Sequence, residues 1–111
     1  MSIPTEFDNY TLVLLRRPTD APTLSEEEAN ALQARHVAHV LSTVESGAAL
    51  AAGPFTDQSD PSLRGLSLFL TGPEEARAIS EEDPAVRRGQ LAIEVMTWLT
   101  PAGQLNVDRG D

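Results

Sequence analysis

The sequence predicts a single domain of the α+β class, built from four strands and two helices. The chain has 111 residues, which is enough for one domain and too few for two. It is 41% hydrophobic, so a packed core can form. Apolar runs of strand length alternate with two helical segments, and these runs occupy four places in the chain: 10–15, 48–53, 66–70 and 91–99.

The first strand and the first helix have clear ends in the sequence. The strand at 10–15 ends before Pro18, which cannot continue a strand ladder. The helix begins after Ser25, a good N-cap with Glu28 in the capping-box position, and runs to Ser46. At about 100° per residue, its apolar residues fall on one arc, which we expect to face the core. They are Ala29, Leu32, Val37, Val40, Leu41 and Val44.

The second half of the chain supplies the remaining strands and the second helix. This helix opens at Pro73 and ends at the Asp83-Pro84 step, because the residue before a proline resists helical dihedral angles. A short turn at 85–88 leads to the last strand at 91–99. The strand alternates, with Leu91, Ile93 and Val95 on one face and Ala92, Glu94, Met96 and Trp98 on the other.

The resulting order, β-α-β-β-α-β, predicts a ferredoxin-like fold with a four-stranded antiparallel sheet, a core at 8–101 and a polar C-terminal tail at 102–111. Two helices cover only one face of such a sheet, yet Met96 and Trp98 stand on the other face. We therefore expect a homodimer in which a second copy covers the open face, giving a dimeric α/β barrel. The alternative is a monomer whose tail folds over the sheet.

Composition narrows the classes of partner. Seventeen acidic residues against eight basic ones give a net charge of −9, and all eight basic residues are arginines. Such a surface disfavours nucleic acid and anionic membranes as partners. The absence of cysteine excludes a thiolate metal site and a cysteine nucleophile. No secretory signal and no membrane-spanning run is visible, so the expected location is cytoplasmic.

The residues that could carry chemistry are two histidines and one aspartate. His36 falls within the predicted buried arc of the first helix, and His39 lies at its rim. No third ligand is marked by spacing, so we expect no metal and no other cofactor. Asp83 could fix the tautomer of His36 and leave the other ring nitrogen free as a general acid or base. The simpler alternatives are a hydrogen-bonded core histidine, a half-exposed surface histidine and an aspartate that only begins a turn.

Several short motifs follow one another in a recognisable order between residues 10 and 101. They are His36-Val-Ala-His39-Val, Glu45-Ser-Gly47, Ala51-Ala-Gly53-Pro54, Glu74-Glu75-Ala76, Asp83-Pro84 and Glu94-Val-Met-Thr-Trp98. In this order the chain resembles the YCII-related (YciI-like) domain family. The resemblance implies a dimeric α/β barrel with a site built from His36 and Asp83. The chain departs from the family pattern at two positions. One is Gln33, about one turn before His36, and the other is Ala85, where the family often has an aromatic residue. The smaller side chain at Ala85 implies a wider pocket.

Two classes of function remain open. The first is a small cofactor-independent enzyme in which His36 and Asp83 act by proton transfer on a small organic substrate, aromatic or cyclic in kind. Lyase, isomerase and dehalogenation chemistry all fit that description, and the pocket would include His39, Glu94, Met96 and Trp98. The second is a domain without catalysis that binds a metabolite or serves as a structural dimer.

Overall fold

The computed structural model describes residues 3–105. The strands are β1 (Phe7–Arg16), β2 (Ala49–Pro54), β3 (Leu63–Phe69) and β4 (Ala92–Pro101), and the helices are α1 (Glu26–Glu45), α2 (Pro73–Glu81) and α3 (Pro84–Arg87). Every predicted strand and helix is present, with ends shifted by a few residues. The turn expected after the Asp83-Pro84 step is the short helix α3. Of the predicted tail, residues 106–111 lie outside the described residues.

The four strands form one antiparallel sheet in the order β2-β3-β1-β4. The central strand β1 pairs with β3 on one side, where Leu12 stands opposite Leu68. On its other side β1 pairs with β4, where Leu12 stands opposite Met96. The helices α1 and α2 lie in the two crossover connections and pack on one face of the sheet. This is the ferredoxin-like α+β fold that the sequence predicts.

The core lies between the sheet and the helices. Its centre is formed by five buried side chains, Val13, Leu15, Ala49, Phe69 and Ala76. Ile93 and Val95 pack against this centre from β4, on the aliphatic face predicted for that strand. Burial of Val13, Leu15 and Phe69 contributes roughly 1.5–3 kcal/mol each to folding, so this layer fixes the positions of the helices.

The N-terminus of α1 has the predicted capping box. The Ser25 hydroxyl accepts a hydrogen bond from the Glu28 N–H at 3.1 Å, and the Glu28 carboxylate accepts one from the Ser25 N–H at 3.3 Å. Hydrogen bonding of the Glu28 carboxylate to the backbone N–H of Ser25, and then to its hydroxyl, lowers the pKa of Glu28 below its ordinary value. At the other end, Gly47 adopts a φ of +85°, which residues with a side chain rarely adopt.

The predicted buried face of α1 is wrong in part. Leu32 is buried, but Val37, Leu41 and Val44 are 43%, 55% and 36% exposed, and Ala29 is exposed as well. The side that faces the sheet and α3 is instead marked by the buried or half-buried residues Leu32, His36, His39, Val40 and Thr43. The helix is therefore rotated about its axis by about 70° from the predicted orientation, at about 100° per residue.

The opposite face of the sheet carries no helix within residues 3–105. Leu12 and Leu14 of β1 and Leu66 and Leu68 of β3 alternate away from the core and are half-buried. Trp98 belongs to the same face, is 40% exposed, and stacks obliquely on the buried Tyr10 with ring centroids 6.3 Å apart. We call this surface the open face. In the part of the chain that is described, no helix is long and apolar enough to cross a bilayer.

Candidate active site

A hydrogen bond joins the two residues that the sequence singles out. His36 Nδ1 and Asp83 Oδ2 are 2.7 Å apart, and they link α1 to the residue before α3. The Asp83 side chain is only 4% exposed and the His36 side chain is 17% exposed. A contact between groups so shielded from water is stronger than one on the surface. The pair therefore combines a nearly buried carboxylate with an imidazole that keeps some access to solvent.

Asp83 is held in place by its own backbone surroundings. It is the N-cap of α3, and its Oδ1 accepts a hydrogen bond from the Ala85 N–H at 2.9 Å. Pro84 at the first helical position fixes the direction in which the chain leaves Asp83. One carboxylate oxygen is thus used for capping and the other for His36. The Asp83-Pro84 step therefore does more than begin a turn, because it also orients the Asp83 carboxylate toward His36.

This arrangement determines the role of each ring nitrogen of His36. An ionised carboxylate can only accept hydrogen bonds, so Nδ1 carries the proton that points at Asp83. In the neutral ring, Nε2 is then the nitrogen with a free lone pair. His36 lines two adjoining cavities, so a base held in one tautomer borders space where a ligand can sit. Such an imidazole can accept a proton from a bound molecule and return it.

The larger cavity is a polar cleft of about 470 Å³. It lies where β1 and β2 end and β3 begins, beside the first half of α1 and the segment that follows α3. The polar side chains on its walls are Arg17, Gln33, His36, Gln58, Arg64 and Gln90. Gln90 helps to close it by donating a hydrogen bond to the Pro22 carbonyl. We call this cavity the polar cleft.

The smaller cavity is an apolar groove of about 240 Å³. Val37 and Leu41 of α1 form one wall, and Leu15 and Ala52 of the sheet belong to the other. Because of the rotation of α1, these two aliphatic residues, which were predicted to face the core, line the groove instead. We call this cavity the apolar groove. Together with the polar cleft it falls in the size range of small-molecule sites, roughly 300–1,000 Å³.

His39 lies deeper than the sequence predicts. Instead of standing at the rim of the helix, it is half-buried and lines a small internal space together with Val13, Thr43, Ser67, Ser80 and Asp83. Its Nε2 is buried and has no hydrogen-bond partner within residues 3–105. His39 therefore belongs to the polar interior behind Asp83 and not to the wall of either cavity beside His36.

The other three predicted pocket residues are not near the His36–Asp83 pair. Glu94, Met96 and Trp98 stand on the open face, since they alternate with Ile93 and Val95, which pack in the core. The prediction that they share a pocket with His36 is wrong for the single chain, because strand alternation puts them on the far side of the sheet.

Glu94 instead belongs to an ion-pair cluster on the open face. Its carboxylate pairs with Arg16 at 2.5 Å, and Arg16 also contacts Asp60 at 3.2 Å. The hydrogen bond that Arg16 donates to Glu94 is the main cause of the raised pKa of Arg16. Hydrogen bonds from the hydroxyl and backbone N–H of Ser62 lower the pKa of Asp60. The partner of Glu94 is thus Arg16 on the open face, away from His36.

Sequence reasoning missed most of the polar cleft. Arg17, Gln58, Arg64 and Gln90 carry no motif, and each comes from a different loop or strand end. The only usable signal was the small number of basic residues. The chain has eight arginines and a net charge of −9, so each arginine is a candidate for binding an anion. As for metals, no three histidine, aspartate or glutamate residues in 3–105 are grouped so that they could hold an ion.

Comparison with known proteins yields likeness of structure but not of sequence. No family model matches the chain, and neither does any curated protein. Among solved structures, it is similar to 5-chloro-2-hydroxyhydroquinone dehydrochlorinase from Burkholderia phenoliruptrix, solved in complex with 2,5-dihydroxybenzoquinone, with a TM-score of 0.50 and 18% identity over 80% of this chain and 92% of that one. A de novo designed protein, Ferredog-Diesel, aligns with a TM-score of 0.46 and 13% identity over 86% of this chain and 91% of that one. The likeness to the dehydrochlorinase shows the shared fold.

Proposed function

We propose that this protein is a small cofactor-independent enzyme of the YciI-like family that acts by proton transfer on a small aromatic or cyclic substrate. The observation that carries the proposal is the 2.7 Å hydrogen bond between His36 Nδ1 and the buried Asp83, on the border of two cavities. A buried histidine needs a hydrogen-bond partner for packing alone. Catalysis is favoured here because the His36 side chain is still 17% exposed and borders both cavities.

The proposed chemistry uses the ring as a proton shuttle. His36 Nε2 takes a proton from a C–H or O–H of the bound substrate, and Asp83 stabilises the resulting imidazolium through the Nδ1–H bond. The same nitrogen then returns the proton to another atom of the substrate or to a leaving group. General acid–base catalysis of this kind contributes about 10²–10⁴-fold in rate. Isomerisation, elimination and dehydrochlorination all reduce to such transfers.

The fold comparison supports this substrate class. The dehydrochlorinase with the same fold acts on a chlorinated hydroquinone and was solved with a dihydroxybenzoquinone bound. A ring of that size fits the combined volume of the polar cleft and the apolar groove in this chain. We therefore choose ring compounds with acidic protons as the first substrates to test.

The test combines a spectroscopic and a kinetic readout. Long-range ¹H–¹⁵N NMR at a pH where the ring is neutral is expected to find the Nδ1–H tautomer of His36 in the wild type and the Nε2–H tautomer in Asp83→Asn. Release of chloride from 5-chloro-2-hydroxyhydroquinone, and deuterium exchange into cyclic 1,3-diketones, are expected to fall at least about 100-fold in His36→Gln and Asp83→Asn. Glu82→Gln, which changes the exposed acid next in sequence, is the matched control and keeps both signals.

Two results would contradict the proposal. One is a His36 ring whose tautomer is the same in the wild type and in Asp83→Asn. The other is turnover that His36→Gln leaves intact. Saturable binding of these ring compounds without any turnover would instead support the alternative of a metabolite-binding domain.

The proposal includes a homodimer formed through the open face. Leu12, Leu68 and Met96 are adjacent across three strands there, and Met96 is 39% exposed. A continuous apolar surface of this kind favours a partner, and a second copy is the commonest one. Light scattering is expected to give the mass of two chains for the wild type and of one chain for Met96→Glu. Leu99→Glu, on the same strand but the other face, is the control, and equal masses for the two variants would count against this interface.

A further inference from the structure

The polar cleft concentrates positive charge in an otherwise acidic protein. The chain carries a net charge of −9, yet the residues that line the cleft include Arg17 and Arg64 and neither an aspartate nor a glutamate. Asp83 stands behind His36 and is fully engaged by that ring and by the Ala85 N–H. The sign of the charge inside the cleft is thus opposite to that of the whole molecule.

Arg17 and Arg64 are not neutralised within residues 3–105. The ion pairs that arginine forms there belong to Arg16 and Arg88. Arg64 donates to the Pro61 carbonyl at 3.2 Å, which orients the guanidinium without cancelling its charge. Arg17 is held in place by its backbone N–H, which donates a hydrogen bond to the Ser62 carbonyl at 2.8 Å. The guanidinium group takes no part in that bond. The neighbouring Arg16 differs, because its guanidinium forms ion pairs with two carboxylates, Asp60 and Glu94.

The polar cleft and the apolar groove share a wall. Gln33, His36, Pro54, Arg64 and Leu91 line both of them. His36 therefore stands between a chamber with two guanidinium groups that have no carboxylate partner in the described residues and a groove lined by Val37 and Leu41. A ligand that spans the two cavities would need a charged end and an apolar body, with its reactive atoms near the ring nitrogen.

We infer that the substrate is a small organic anion with an aromatic or alicyclic body, whose carboxylate or phenolate binds Arg17 and Arg64 while the body lies in the apolar groove. This inference rests on the proposed function and names the substrate class for that site. Guanidinium groups recognise carboxylates through paired, charge-assisted hydrogen bonds, which are about twice as strong as neutral ones. They also draw anions into the cleft against the repulsion of the acidic surface. A cationic ligand would find no free carboxylate on these walls.

The experiment measures binding of a matched pair of probes by NMR titration of the ¹⁵N-labelled protein. The probes are 2,5-dihydroxybenzoate and its neutral isostere 2,5-dihydroxybenzamide, with acetate as an anion that lacks a ring. The benzoate is expected to bind at least about tenfold more tightly than either of the other two. Arg17→Gln and Arg64→Gln are each expected to weaken benzoate binding about tenfold and to leave benzamide binding unchanged. Arg77→Gln, an exposed arginine on α2 that lines neither cavity, is the control and keeps full affinity.

The outcomes separate this inference from the proposed function. Arginine-dependent binding of the benzoate that persists in His36→Gln supports the anion site even if no turnover is ever found. Equal affinity for benzoate and benzamide overturns the inference, even if His36 proves essential for turnover. Loss of benzoate affinity in Arg77→Gln as large as that in Arg17→Gln and Arg64→Gln also overturns it, because the effect would then follow net charge and not the cleft.

Discussion

Replacing Asp83 by alanine or by asparagine separates two tasks that this side chain performs. Its Oδ1 accepts the Ala85 N–H at 2.9 Å, and its Oδ2 accepts His36 Nδ1–H at 2.7 Å. Alanine removes both acceptors from a site where Asp83 is 3% exposed, so that water cannot easily replace them. Asparagine keeps an oxygen for Ala85 and presents an amide N–H₂ to His36, which can bond to it by adopting the other tautomer.

The difference in unfolding free energy can be worked out from these bonds. Loss of an N-cap acceptor costs about 1 kcal/mol. Loss of a buried hydrogen bond to a charged group costs about 1.5–3 kcal/mol, which includes leaving the imidazole nitrogen without a partner. Asp83→Ala is therefore expected to lower the free energy of unfolding by about 3 kcal/mol. Asp83→Asn retains both bonds in neutral form and is expected to lower it by about 1 kcal/mol.

The assay is urea denaturation followed by circular dichroism at pH 7. Protein concentration is held constant, because any self-association would make the measured stability depend on it. Asp57→Ala, which removes an exposed aspartate, is the control and is expected to stay within about 0.5 kcal/mol of the wild type. If Asp83→Ala and Asp83→Asn are equally stable to within about 0.5 kcal/mol, the two hydrogen bonds do not have the energetic roles described here.

Three further predictions concern the frame around the site. Gly47→Ala is expected to lower the free energy of unfolding by about 1 kcal/mol, because Gly47 has a φ of +85°. Gly53→Ala, where an added Cβ likewise meets nothing within 4 Å but φ is not positive, serves as the control and is expected to be neutral in the same urea titration. Ser25→Ala is expected to lower the free energy of unfolding by about 1 kcal/mol and to reduce hydrogen-exchange protection in the first turn of α1. The pKa of Glu28 in the folded state is depressed below 4.5. The ionised Glu28 carboxylate therefore stabilises the fold above pH 4.5, and this contribution is lost as the pH falls through the folded-state pKa. The free energies of unfolding of the wild type and Glu28→Gln are expected to differ at pH 7 and to converge in acid.

The order of the elements was predictable because its signals are local. The capping box at Ser25, the proline at Pro73 and the alternation at 91–99 each act within a few residues, and each is present in the structure. The position of Glu94, on the face of the sheet away from His36, was not predictable in that way. A strand has two faces, and local periodicity separates them without saying which one meets the helices that carry a site.

The rotation of α1 was unpredictable because the side of the helix that faces inward is partly polar. A rule that turns the aliphatic side of a helix inward points Val37 and Leu41 at the core, and it holds when the core is purely apolar. Here the inward side is centred on His36 and Thr43 instead, because the buried Asp83 gives the imidazole a partner and the Thr43 hydroxyl is satisfied by the Val40 carbonyl at 2.7 Å.

Local rules fail most often where a protein carries polar groups inside for a purpose. The displaced aliphatic residues of α1 then line the apolar groove next to the same histidine. The rotation of α1 thus places His36, which is hydrogen-bonded to Asp83, next to an apolar wall formed by Val37 and Leu41. This explains why the error in the predicted core and the position of the candidate site fall on the same helix.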